Sequence, residues 1–157
     1  MTLHNWNRAS FRDKNFTFSF VMSVVFLIAS LFVNFYSGLY ATERASNSVT
    51  DIILSNIRPY DLDRIFIYGS WAFALTILLV CLQYQKKTPF VLKSVALFVF
   101  VRAIFLTLTH IGPFPTQIAI DSETFLDRIF ISGGGLFFSG HTGMPFLLAL
   151  LFWGNKP

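Results

Sequence analysis

An arginine and a histidine stand inside otherwise apolar stretches of this sequence, and their surroundings suit phosphate chemistry. Arg102 lies in the run VLKSVALFVFVRAIFLTLT, about two helical turns before its end. An ionisable residue that deep in an apolar segment usually faces a protein interior, a cavity or a partner. Arginine presents a planar fork that binds phosphate oxygens in pairs, and it never loses its charge. His141 belongs to GGGLFFSGHTG, residues 133–143. Glycines let backbone N–H groups approach an anion closely, and a helix N-terminus adds a favourable dipole. Ser139 suits an N-cap or a phosphate donor, and His141 can donate a proton to a leaving oxygen. Plainer readings compete. Arg102 could snorkel to an interface or pair with a loop carboxylate, and the glycine run could be a hinge before a capped helix. Spacing alone does not separate the two.

Four apolar runs have to position these residues. They cover about Phe16 to Tyr40, Ile65 to Tyr84, Phe90 to Thr109 and Ser139 to Trp153. The first three meet the roughly 20-residue length needed to cross hydrocarbon as a helix. The fourth, at ~22 Å of helix, is marginal against a core of ~30 Å. Composition agrees with a membrane protein: 54% of the 157 residues are hydrophobic, 20 are Phe and only 13% are charged. Soluble domains carry roughly 25% charged residues. The mean hydropathy is +0.60. The expected fold is therefore an all-α polytopic transmembrane helical bundle.

Loop charge predicts the orientation. Arg8, Arg12 and Lys14 precede the first run against Asp13 alone, and Lys86 and Lys87 stand between the second and third with no acid. The remaining two loops carry Glu43, Asp51, Asp61 and Asp63, then Asp121, Glu123 and Asp127. The positive-inside rule puts the N-terminus and the Lys86–Lys87 turn in the cytoplasm and both acidic loops outside. Arg102 and His141 then share the outer side. The net charge of +4 reads as topology rather than as a nucleic-acid surface, because the basic residues flank apolar runs. Residues 1–15 form a cytoplasmic segment and residues 16–157 one membrane domain. The first run is too long for a signal-peptide core. Val49 to Ile57 (VTDIILSNI) has the spacing of a short amphipathic helix on the membrane surface, ended by Pro59. Cys81 is the only cysteine, which excludes an internal disulfide.

Other chemistries fit less well. His110, Asp121, Glu123 and His141 share the outer side but contain no helix-spaced ligand pair, so no metal site is expected. Ser139 and His141, two apart on a helix, point to different faces and do not form a nucleophilic pair.

Phe138-Ser139-Gly140-His141-Thr142 resembles the Ser-Gly-His motif of the type 2 phosphatidic acid phosphatase superfamily, in the form typical of its sphingomyelin synthase-like branch. Arg102 to Thr107, with Thr109 to Gly112-Pro113-Phe114-Pro115, resembles that branch's earlier motif. The resemblance covers roughly Asp61 to Trp153. It implies a metal-independent, cofactor-free enzyme of six helices that acts on a lipid phosphate or phosphodiester at the outer face. Arg102, Ser139 and Gly140 would hold the phosphate, and His141 would be the general acid. Leu136, Phe137 and Phe138 would anchor the loop at the interface where acyl chains arrive. The branch's aspartate before the motif is matched here by Gly135. Its nucleophile, a second histidine oriented by an aspartate, would follow His141. The only other histidines are His4 and His110. Four of six expected spans are present, so the resemblance implies an incomplete domain, inactive alone, with membrane lipids as partners. Short loops and the absence of long tails fit a bacterial inner membrane. The rival expectation is a non-enzymatic polytopic membrane protein with a structural role.

Overall fold

The structure, a computed structural model, describes residues 13–47, 56, 63–109 and 139–153, without the side chains of Asp63, Arg64, Phe66, Ile67 and His141. Among these residues the chain is all-helical. Four helices follow in order: α1 (Lys14–Glu43), α2 (Asp63–Gln83), α3 (Thr88–Thr109) and α4 (Gly140–Phe152). They begin and end within a few residues of the four apolar runs. Asn56 is helical, while the rest of the expected surface helix at 49–57 lies outside the described residues.

Local chemistry sets the ends. Asp13 caps α1, its carboxylate accepting from the Asn15 N–H at 3.0 Å. This satisfies one of the donors that a helix start leaves without an internal acceptor. α2 passes into α3 through a tight turn at Gln85–Lys87. The Thr88 hydroxyl donates to the Cys81 carbonyl at 3.1 Å and ties the two helix ends together. Pro89 sits in the first turn of α3, where its missing N–H removes no helical bond.

α1 and α3 form the core of the described structure, and they run parallel. Lys93 Nζ donates to Ser19 Oγ at 3.0 Å, the Phe26 and Phe100 rings meet edge-on at 5.5 Å, and Arg102 donates to Asn34. Partner numbers rise together along both helices. The α1 side of this contact is Ser23, Ser30, Asn34, Ser37, Gly38 and Ala41. Three serines seven residues apart keep one seam facing the partner, as a heptad does. Ser23 and Ser30 donate to their own helix, to the carbonyls of Phe20 and Leu27 at 2.7 Å. They therefore serve as small residues that let two backbones approach, not as bridges across the interface. α3 answers with Val91, Ala96, Val99, Ala103 and Leu106.

Burial is inverted relative to a protein folded in water. Ser23 and Ser30 are fully buried, while Phe18 (70%), Phe32 (62%) and Leu97 (60%) point outward. α2 goes further: Tyr68, Trp71, Leu75, Leu78 and Leu82 are all exposed. Two helical segments, Lys14–Glu43 and Gln85–Thr109, are long and apolar enough to cross a membrane, whereas the apolar parts of α2 and α4 are shorter.

The small-residue seam makes a direct prediction. Ser30→Leu, which inserts bulk where nothing can yield, should destabilise the fold by about 1–3 kcal/mol. Ile28→Ala on the outward face should change it by less than about 0.5 kcal/mol. Reversible unfolding of both variants in mixed micelles checks the contrast, and equal losses would refute the assigned seam.

Candidate functional site

Of the four candidate residues, Arg102 lies on α3, Gly140 and His141 open α4, and Ser139 is the residue just before it. Arg102 lies seven residues before Thr109, the last residue of α3, and it is only 8% exposed. Its guanidinium donates to Asn34 Oδ1, and Asn34 is itself 4% exposed. A buried arginine is costly unless charge-satisfying groups surround it. Asn34 is such a group. It sits six residues before Tyr40, close to the depth at which Arg102 sits before Thr109. Asn34 is the most polar residue of the first apolar run, and its pairing with Arg102 is not among the expectations from sequence. Equal depth in two parallel runs was the available signal.

α4 reaches Arg102 head first. A methyl placed on Gly140 would stand 3.7 Å from Arg102 Nε, and one placed on Gly143 would stand 2.5 Å from Phe98 Cζ. At the other end of α4, the Phe152 ring lies 5.9 Å from that of Tyr84. Partner numbers now run oppositely, so α4 is antiparallel to α3. It spans from the level of Arg102 to the turn at Gln85–Lys87. This explains why the fourth run is short. α4 starts ~10 Å below the Thr109 end of α3, from seven residues at ~1.5 Å each.

Ser139 is the N-cap of α4, with φ −59° and ψ 115°, and its side chain makes no cap bond. Its Oγ accepts from the Thr142 hydroxyl at 3.5 Å, and its carbonyl accepts from the Gly143 N–H at 3.0 Å. His141 is the second residue of α4, and its side chain lies outside the described atoms. Pro145 stands inside the helix and has no N–H to offer the His141 carbonyl. Leu136, Phe137, Phe138, Gly135, His4 and His110 lie outside the described residues, as do Asp121, Glu123 and Asp127.

Electrostatically, a full positive charge here meets the positive end of a helix dipole. The N-terminus of α4 carries about half a unit charge, and at a few ångström in an effective dielectric of ~20 the repulsion is on the order of 1–2 kcal/mol. An anion lying between them turns both terms attractive. Among the described residues no cluster of three His, Cys, Asp or Glu could hold a metal ion. An open groove of about 360 Å³ on the surface of α1 and α3 is lined by Phe32, Val33, Tyr36, Ser37, Tyr40 and Thr107. Arg102, Ser139 and Gly140 do not line it.

Compared with family models, curated proteins and solved structures, the chain matches none of them.

The approach of α4 depends on Gly143 facing the Phe98 ring. Gly143→Ala is expected to push α4 away and lower stability, and adding Phe98→Leu is expected to restore it. A double-mutant cycle should show a coupling of about 0.5–3 kcal/mol. Additive losses would show that Gly143 is not packed against this ring.

Proposed function

We propose that this chain is a membrane-embedded, metal-independent lipid phosphatase or phosphotransferase domain, similar to the sphingomyelin synthase-like branch of the type 2 phosphatidic acid phosphatase superfamily. One observation carries the reading. A buried Arg102 on α3 lies against Gly140, the first residue of α4, although the two are far apart in sequence. Those are the residues that the two motifs would assign to one phosphate. In this reading Arg102 takes two phosphate oxygens, the first-turn N–H groups of α4 with Ser139 take the others, and His141 protonates the leaving oxygen.

Inverted burial, two long apolar helices and a seam of small residues support the membrane setting. The parallel course of α1 and α3 supports a topology in which both enter from the side bearing Lys14, Lys86 and Lys87. The phosphate site then opens to the outer face, and a lipid headgroup supplies the anion.

A second reading has one observation in its favour. The Arg102–Asn34 bond joins α1 to α3 and by itself gives the buried arginine a structural role in a non-enzymatic membrane protein. Binding separates the two. The chain in phosphatidylcholine nanodiscs is expected to bind phosphatidic acid, and Arg102→Gln to weaken that binding by roughly tenfold or more, as loss of a charge-assisted pair implies. His141→Gln should weaken it less. If wild type and Arg102→Gln bind alike, the structural reading stands and the enzymatic one falls.

A further inference from the structure

We infer that Asn34 is a positioning residue of the phosphate site, a neutral acceptor that fixes the Arg102 guanidinium without cancelling its charge; the inference rests on the reading of Arg102 as the phosphate ligand. Asn34 is 4% exposed, lies on the α1 seam and accepts from an Nη of Arg102. That contact is made on one side of the guanidinium fork, while Gly140 of α4 lies toward Nε, 3.7 Å from it when given a methyl. Arginine carries five donors in a rigid plane. Asn34 therefore holds one edge of that plane.

The residue type matters as much as the contact. An aspartate has nearly the same shape as asparagine and would accept the same bond, but it would form an ion pair. A buried ion pair is a strong competitor for an incoming phosphate, because the ligand must displace a carboxylate from a site of low dielectric. An apolar residue would leave a long, mobile side chain in a polar void, and every binding event would then have to order it. Asparagine avoids both outcomes.

A purely structural role for Asn34 predicts the opposite behaviour of the aspartate variant. If the contact only joined α1 to α3, Asn34→Asp would strengthen it and leave ligand binding alone. The test uses the full chain in phosphatidylcholine nanodiscs, with phosphatidic acid as the probe and thermal unfolding measured on the same samples. Asn34→Asp is expected to keep or raise the Tm while weakening phosphatidic acid binding by roughly tenfold, the effect of one competing charge. Asn34→Leu, similar in volume and lacking the acceptor, is expected to lower the Tm and to weaken binding by roughly threefold or more, so the inference stays testable if the aspartate variant fails to fold. Binding at wild-type strength by a folded Asn34→Asp, or by Asn34→Leu, overturns the positioning role. If Arg102→Gln loses binding in the same assay, the phosphate reading survives that result. If Arg102→Gln binds as wild type does, the phosphate reading itself fails and Asn34 falls with it.

Discussion

The described structure turns on a single buried cation. Arg102 sits buried in the α1–α3 contact, and a charge in that position is tolerated only where a polar partner meets it. Asn34 can do so because α1 presents serine, glycine and alanine rather than bulky side chains along the same seam. Close approach of the two backbones follows from the small residues, and close approach puts the amide within reach of the guanidinium. The path of α4 depends on the same place. Its first residue is a glycine, and the lack of a side chain there leaves room beside Arg102 Nε.

Helix existence, length and boundaries were legible in the sequence because they follow from runs of apolar residues broken by charges and turn formers. Phe16 to Tyr40 became Lys14–Glu43, and Phe90 to Thr109 became Thr88–Thr109. Packing was less legible. Hydrophobic periodicity is nearly useless when the whole circumference is apolar, and the face that packs was marked by Ser23, Ser30 and Ser37, which a soluble-protein reading would turn outward. The pairing of Asn34 with Arg102 was missed for a related reason. Attention to charge complementarity directs the search to carboxylates, and an amide is equally able to satisfy a guanidinium in an apolar setting.

The geometry of the candidate site was legible in part. Arg102, Ser139 and Gly140 were chosen on residue chemistry and motif order, and the fold brings Arg102 and Gly140 together. What sequence could not give was depth. A run of about fifteen apolar residues reads as a marginal span, whereas α4 is short because it starts level with Arg102 instead of at the end of its neighbour. The hydroxyl of Ser139 also turns to Thr142 rather than capping its own helix. That orientation depends on the rotamers of two exposed side chains, which no pattern of residue types encodes.

The length of α1 has a consequence of its own. Its thirty residues make a rod of ~45 Å, half as long again as a typical hydrocarbon core of ~30 Å. A bilayer accommodates such a rod by letting it lean or by thickening around it, at fractions of a kcal/mol per ångström. Because α3 is fastened to α1 at Ser19, at Phe26 and again at Asn34, leaning carries both helices together, and the height of Arg102 above the bilayer midplane changes with the angle. In the membrane setting proposed above, bilayer thickness would become a variable of the protein. Thinner bilayers would tilt the pair further and draw the guanidinium towards the midplane, and thicker ones would raise it towards the headgroups.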